Sequence, residues 1–297
     1  MKTIICSPQD NLELLLKPYK DKVLKLILTP GIYNTKLEFD FDNLIIEGVD
    51  PNTVIITYSL YAKMPHEDGR EYGTFRTPTL TILGNNVVLR NLTIRNDAGS
   101  GKVVGQAVAL ALYGDNILVD NCNIIANQDT LFLGPLPNEP RAKNSSYLDP
   151  RKLVLEPRHH HFVNSKIVGN VDFIFGSSTT LFDKCEIVIN DFGYITAPST
   201  HKDFKYGFIF KDSKIINTSN FEIYLSRPWR NYGANIFYNC AFSGLIHPNR
   251  YDDWDKTIIR YFEHPYYNST LSSPMSDSDI SDLLKYISNN FNNRSNF

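Results

Sequence analysis

The chain of 297 residues lacks three features that would place it in other classes of protein. It has no run of about 18 consecutive apolar residues, so we expect no helix that spans a membrane. Basic residues are not in excess, with 30 Lys and Arg against 32 Asp and Glu, which argues against a nucleic-acid-binding surface. The four cysteines are widely spaced and form no CxxC pair, which argues against a disulfide scaffold or a zinc site.

An export signal is also missing from the start of the sequence. The first apolar run covers residues 3–6, whereas the apolar segment of a secretory signal has about 7–15 residues. We therefore expect a cytoplasmic protein, or a secreted one if the native amino terminus differs. We also expect a monomer.

A short pattern recurs six times along the chain. It consists of an apolar residue, two or three mostly polar positions, a small residue or Cys, a polar residue and Ile, with Phe instead of Ile in the last copy. The copies are mostly about 20 to 30 residues apart, a spacing typical of solenoid repeats. They begin at Val88, Leu118, Phe162, Phe182, Phe210 and Phe237.

Each copy predicts two short strands that meet at a bend, because β-branched residues alternate within it and Gly and Asn lie between copies. One such unit cannot bury its apolar face alone, whereas stacked units share a continuous core. We therefore predict an all-β fold, a right-handed single-stranded parallel β-helix, as a single domain over residues 1–297. We interpret the abundant Asn as left-handed corner residues whose side chains stack between coils. Cys122, Cys185 and Cys240 share one repeat position, which predicts small core residues.

The two ends of the chain have helical rather than strand patterns. Residues 10–18 predict a helix with Asp10 as its N-cap, which would cover the open end of the β-helix. Residues 268–278 resemble a linker, and residues 279–287 predict a short amphipathic helix that packs back on the body and caps the other end. We expect the last nine residues to be frayed.

Four segments depart from the repeat: residues 105–110, 127–132, 169–176 and 225–229. Asp129 and Asp172 each lie within an apolar segment, where an isolated carboxylate would be costly to desolvate, so each needs a partner or a role. Arg227 is the obvious cationic partner. Gln106 and Gln128 could donate uncharged hydrogen bonds to a developing oxyanion. The set suits the cleavage of an ester or a glycoside without a metal.

These segments, with the sequences GQAVAL, NQDTLF, GNVDFIFG and LSRPW, resemble the signature motifs of pectin methylesterases. That family removes methyl esters from homogalacturonan. The resemblance extends over roughly residues 20–268. It implies a right-handed parallel β-helix, an aspartyl-esterase mechanism without a cofactor or metal, and methyl-esterified homogalacturonan or oligogalacturonides as the partner.

The resemblance also implies a role for each polar residue. Asp172 would be the nucleophile, and Asp129 would be the general acid that protonates methanol and then the base that activates water. Gln106 and Gln128 would form the oxyanion hole, and Arg227 would hold Asp172. Trp229 would stack on a galacturonate ring. Further groove residues would be Phe175, Phe132, Val171, Thr74 and Trp254.

The sequence departs from the family pattern at several places. Thr35 stands where Glu is common, and Ser226 replaces a Gly beside Arg227. An extra segment, residues 134–158, separates the two aspartates and should form a long loop near the cleft. Our hypothesis is that this loop narrows one end of the groove and favours short methylated oligogalacturonides over polymer.

Three alternatives remain open at this point. A β-helix pectate lyase or galacturonase would share the fold, although no calcium-binding carboxylate cluster is evident in the sequence. A cytoplasmic acyl thioesterase or other small-ester hydrolase could use the same side chains. A non-catalytic pectin-binding β-helix would not need all five polar residues. The run from His159 to His161 is not expected to hold a metal, because neighbours in a strand point to opposite faces.

Overall fold

The computed structural model describes residues 1–19, 22–135 and 156–291, and most of its regular structure consists of β-strands. The strands are β1 (Lys2–Cys6), β2 (Leu24–Leu28), β3 (Gly31–Asn34), β4 (Leu37–Phe39), β5 (Leu44–Glu47), β6 (Val54–Tyr58), β7 (Leu80–Ile82), β8 (Val87–Arg90), β9 (Thr93–Asn96), β10 (Leu110–Leu112), β11 (Ile117–Asp120), β12 (Asn123–Ile125), β13 (Leu131–Leu133), β14 (His159–Val163), β15 (Lys166–Gly176), β16 (Thr179–Asp183), β17 (Glu186–Pro198), β18 (Phe208–Lys211), β19 (Lys214–Asn217), β20 (Tyr224–Ser226), β21 (Ala234–Tyr238), β22 (Ala241–Ser243), β23 (Arg260–His264) and β24 (Ser272–Pro274). The α-helices are α1 (Leu12–Leu16), α2 (Gly101–Val104) and α3 (Asp277–Phe291), and 3-10 turns cover Lys17–Tyr19 and Thr74–Arg76.

The strands form three walls that wind around one axis. The first wall is an 11-stranded parallel sheet in the order β1-β2-β5-β8-β11-β14-β16-β18-β21-β23-β24. The second wall contains β3, β6, β9, β12, β19 and β22, and the third contains β4, β7, β10, β13 and β20. The long strands β15 and β17 pass from the second wall into the third. Each coil thus pairs with the coils before and after it, and the predicted parallel β-helix is confirmed.

The interior is filled by side chains that repeat from coil to coil. Phe162, Phe182, Phe210 and Phe237 stack along the first wall with ring centroids 5.0, 4.6 and 4.7 Å apart. All four are buried in one core cluster that extends from Cys6 to Tyr261. Burial of a Phe side chain stabilises a fold by about 1.5–3 kcal/mol, so this stack is a major source of cohesion between coils.

The corners between the first and second walls confirm the interpretation of the Asn residues. Asn91 and Asn121 have φ angles of 55° and 51°, and the Nδ2 atom of Asn121 donates to the Oδ1 atom of Asn91 at 2.8 Å. At this left-handed corner Asn is tolerated better than most residues. Cys122, Cys185 and Cys240 follow the corners and are buried free thiols, as the repeat predicted.

The amino-terminal helix is shorter than predicted and has a different cap. Helix α1 begins after Asn11, whose side chain accepts a hydrogen bond from the backbone N–H of Leu14. The Asp10 side chain instead accepts hydrogen bonds from Ser7, which makes a turn before the helix. Leu12 and Leu16 are buried in the core, so α1 packs on the first coils.

The carboxy-terminal helix is longer than predicted and does not cap the end of the β-helix. Leu283, Ile287 and Phe291 of α3 pack on the outer side of the first wall, in a cluster that contains Leu181 and Ile209. These two wall residues are in register on neighbouring strands and point outward. The predicted linker contains β24, and Phe291, expected to be frayed, is 1% exposed.

Three further predictions concern membrane helices, the cleft loop and the number of domains. In residues 1–19, 22–135 and 156–291, no helix is long and apolar enough to cross a membrane. Most of the predicted cleft loop, residues 136–155, lies outside the described residues. The single-domain prediction over residues 1–297 stays a prediction.

Candidate active site

A cleft of about 190 Å³ opens on the outer side of the third wall. Segments that are far apart in sequence meet there because they lie within or next to strands of this wall on successive coils. The cleft contains eight of the eleven predicted site residues, together with Phe75 and Ala197. The lining residues are Thr74, Phe75, Gln106, Gln128, Asp129, Asp172, Phe175, Ala197, Trp229 and Trp254.

The two aspartates occupy equivalent positions on neighbouring coils. Leu131 pairs with Ile174, so Asp129 and Asp172 each lie two residues before a paired position. Neighbouring strands are about 4.8 Å apart, which brings the two carboxyl groups into one site. Both aspartates have positive φ angles, 61° and 51°. Such angles are costly for a residue with a Cβ atom and are concentrated at functional sites.

Arg227 binds Asp172 through two parallel hydrogen bonds. Its Nε atom lies 2.8 Å from Oδ1 and its Nη2 atom 2.6 Å from Oδ2. The guanidinium is also enclosed between the rings of Tyr194 and Trp254, each 3.9 Å from its central carbon. Burial acts to lower the pKa of Arg227, and the interactions with Asp172 outweigh this and raise it. The pair is therefore a rigid arginine–carboxylate bridge.

Asp129 has a different electrostatic environment. Burial raises its pKa well above the usual value for an aspartate, and the negative charge of Asp172 adds to this, while Arg227 acts in the opposite sense. Asp129 therefore favours its protonated form, whereas Arg227 favours the ionised form of Asp172. Two carboxyl groups with opposite preferences can divide the roles of acid and nucleophile.

The glutamines reach the cleft from two adjacent turns. Gln106 follows Gly105, which has a φ angle of 78°. The backbone carbonyl oxygen of Gln106 accepts a hydrogen bond from the N–H of Ala62 at 2.8 Å. Gln128 packs against the backbone of Gly101. A Cβ atom added at position 101 would lie only 2.7 Å from the Cβ atom of Gln128. The first contact fixes the backbone of Gln106, the second restricts the side chain of Gln128, and both residues line the cleft.

The floor of the cleft is an aromatic cluster, and the structure corrects two predicted groove residues. Phe132 does not line the cleft, because it is fully buried beneath Phe175 with ring centroids 5.1 Å apart. Val171 does not line it either, and its carbonyl oxygen accepts a hydrogen bond from the N–H of Asp129. The sequence reasoning missed Phe75, whose ring lies 6.4 Å from that of Trp229 at an angle of 24°.

Tyr194 was also missed. The segment Tyr194–Ala197 is part of the family resemblance, but the sequence reasoning assigned Tyr194 no role, and only its pairing with Tyr224 and Val171 on neighbouring coils shows that it faces Arg227. The position of Phe75 beside a predicted groove residue, Thr74, was the one available signal for that ring.

The histidines on β14 alternate as predicted. His160 is fully buried, and one of its ring nitrogens lies 2.9 Å from the carbonyl oxygen of Gly114, while His159 interacts with Asp115 and Tyr286. Across the described ranges, no group of three or more His, Cys, Asp or Glu side chains is arranged to hold a metal ion.

The family relationship follows from sequence comparison. The model of the family described as Pectinesterase matches residues 12–135 and 147–277. The chain belongs to the pectinesterase family. Pectinesterase QRT1 of Arabidopsis thaliana is 30% identical over 240 residues, which are 78% of this chain and 57% of that relative. The chain therefore spans little more than half the length of this relative.

Structural comparison gives the same fold. The pectin methylesterase from carrot has a TM-score of 0.76 at 21% identity, and the alignment covers 94% of this chain and 89% of the carrot chain. A pectin methylesterase in complex with a hexasaccharide has a TM-score of 0.70 at 23% identity, with 89% and 87% covered. These similarities confirm the β-helix.

Proposed function

We propose that this chain hydrolyses the methyl esters of galacturonate residues in pectin or methylated oligogalacturonides and releases methanol. The observation that carries the proposal is the pair of aspartates with opposite charge preferences, Asp172 bound by Arg227 and Asp129 buried beside it. Membership of the pectinesterase family supports the substrate class.

In the first step, a carboxylate oxygen of Asp172 attacks the carbonyl carbon of the methyl ester. The carbonyl oxygen becomes an oxyanion, and Gln106 and Gln128 donate hydrogen bonds to it. Asp129 gives its proton to the methoxy oxygen as the C–O bond breaks, so that methanol leaves. The product is an anhydride between Asp172 and the galacturonate carboxyl group, and Asp129 is now ionised.

In the second step, the Asp129 carboxylate takes a proton from a water molecule that attacks the galacturonyl carbon of the anhydride. The bond to Asp172 breaks, and the carboxylate of Asp172 is restored as the partner of Arg227. Asp129 is again protonated, so the cycle is closed. The sugar carboxyl group leaves with one oxygen from water.

The cleft also suits the sugar. Trp229 and Phe175 offer apolar ring surface beside Asp172, and rings of this kind pack on the faces of sugars. The related pectin methylesterase that was crystallised with a hexasaccharide supports an extended oligosaccharide as ligand. We propose that the chain acts on such a substrate as a cytoplasmic monomer.

We further propose a preference for short methylated oligomers. The extra segment lies between the two catalytic turns, and its described ends, Gly134 and Pro135 on one side and residues 156–158 on the other, flank strands of the β-helix. Initial rates on methylated trimers and tetramers should exceed those on highly methylated pectin. Equal or faster turnover of the polymer would contradict this preference.

The activity itself is tested by methanol release and titration of new carboxyl groups from methylated substrate. We expect one methanol and one acid per ester cleaved, without products that absorb in the ultraviolet. Unsaturated products would instead indicate a lyase.

A further inference from the structure

A buried polar network lies beneath the cleft, on the inner side of the third wall. It joins Thr196 of β17, Ser226 of β20 and Asn235 of β21, and all three residues are 0% exposed. The Nδ2 atom of Asn235 donates to Oγ1 of Thr196 at 2.5 Å and to Oγ of Ser226 at 2.7 Å. Because β21 belongs to the first wall, this amide links the first wall to the third.

The network fixes the backbone from which Arg227 emerges. Thr196 and Ser226 are paired, and the carbonyl oxygen of Thr196 accepts hydrogen bonds from the N–H of Arg227 at 3.0 Å and from Oγ of Ser226 at 3.3 Å. The Oγ1 atom of Thr196 donates to the carbonyl oxygen of Leu225 at 3.2 Å. Asn235 thus links β17 and β20 at Thr196 and Ser226, directly before the backbone of Arg227.

An amide is an unexpected residue at this position. Asn235 is in register with Phe208 and Tyr261 on the flanking coils, and both of these belong to the hydrophobic core. The Oδ1 atom of Asn235 meets no hydrogen-bond donor in the described ranges. A polar side chain that weakens a core is typical of a residue retained for function.

We propose that Asn235 is a positioning residue for Arg227 and, through Arg227, for Asp172. This inference rests on the proposed esterase function. The amide holds Thr196 and Ser226 at a fixed spacing, and this sets the direction in which the Arg227 side chain leaves the sheet. Both guanidinium nitrogens can then reach Asp172 at the same time, which a small rotation would prevent.

The test is the variant Asn235→Leu, which keeps the branched shape and the number of side-chain heavy atoms and removes the hydrogen bonds. The hydroxyl groups of Thr196 and Ser226 retain their own carbonyl acceptors, so the fold should survive with an unchanged or higher melting temperature. We expect kcat for methanol release to fall about tenfold, with KM within about twofold of the wild type.

Two further variants separate positioning from a merely structural effect. Ser226→Ala should lower kcat less than Asn235→Leu, and its effect should vanish when it is added to Asn235→Leu, because both changes break one linkage. Ser213→Ala is the matched control. Its buried hydroxyl donates to the carbonyl oxygens of Phe182 and Lys211, so it should lower the melting temperature and leave kcat unchanged.

The outcomes distinguish this inference from the proposed function. A wild-type chain that releases no methanol overturns both. An active wild type with unchanged kcat in Asn235→Leu, or with independent effects of Asn235→Leu and Ser226→Ala, overturns the inference alone. If Asn235→Leu does not fold, an unchanged kcat in Ser226→Ala overturns the inference.

Discussion

Arg227 and Asp172 form a two-bond bridge, with the Nε and Nη2 atoms of the guanidinium each facing one carboxylate oxygen. A bridge of this geometry fixes both the charge and the orientation of the carboxylate. In the proposed mechanism it keeps a nucleophile ionised beside Asp129, whose surroundings favour a proton.

The geometry of the bridge predicts that charge alone is insufficient at position 227. Arg227→Lys keeps the positive charge but loses the planar pair of donors and the ring contacts. We expect kcat/KM to fall about 100-fold, because the nucleophile is no longer aligned. The acid side of the pH profile should also move to higher pH, since a carboxylate with a weaker cationic partner takes up a proton more readily. The control is Arg70→Lys at an exposed position, which should leave both kcat/KM and the pH profile unchanged.

Asp129 predicts a pH-dependent effect on stability. The pKa of Asp129 is raised in the folded protein. The group therefore makes a favourable contribution to the free energy of unfolding at low pH, and this contribution is lost as the pH rises through the folded-state pKa. Asp129→Asn cannot ionise. The melting temperature of this variant relative to the wild type should therefore increase from pH 5 to pH 8, as measured by calorimetry. A difference that is independent of pH would show that Asp129 is ionised throughout this range.

The enclosure of Arg227 predicts a role for Tyr194 that depends on its ring. Tyr194→Leu removes one of the two faces that hold the guanidinium, at a distance of 3.9 Å. A partly buried cation–π contact contributes about 1–2 kcal/mol, so we expect a loss of about 5- to 30-fold in kcat/KM. Tyr194→Phe keeps the ring and should stay within about twofold of the wild type. Equal losses in both variants would indicate that the hydroxyl group is what matters.

The contact between Gly101 and Gln128 predicts that a methyl group at position 101 would displace Gln128, which we propose as an oxyanion donor. A Cβ atom at position 101 would lie 2.7 Å from the Cβ and 2.9 Å from the Oε1 atom of Gln128. We expect Gly101→Ala to lower kcat about 10- to 100-fold with a small effect on the melting temperature. Val103→Ala, on the exposed side of the same helix, is the control. Full activity of Gly101→Ala would show that Gln128 can move without loss.

The sequence predicted the parallel β-helix because the repeat marks the inward-facing residues of each coil, and those residues form the core. It also predicted the two aspartates and Arg227, since charged groups inside apolar segments require partners. It did not place helix α3, because helical periodicity shows which face is apolar and not which surface that face covers. Tyr194 was missed because its contact with Arg227 depends on the register between coils.

Phe132 and Val171 illustrate a related limit. Both lie within the segments that contain the two aspartates, and neighbouring residues of such a segment can point either into the cleft or away from it. Phe132 is fully buried beneath Phe175. Phe75 comes from a 3-10 turn on a different coil, and its contact with Trp229 is visible only in three dimensions.

The most direct test of the central claim is methanol release from methylated galacturonate oligomers by the wild-type chain and by Asp172→Asn. The asparagine keeps the size of the side chain but cannot act as the nucleophile. We predict that the wild type releases methanol and that the variant loses at least about 1,000-fold in kcat while it still binds the oligomer. Methanol release by Asp172→Asn at the wild-type rate would contradict the account.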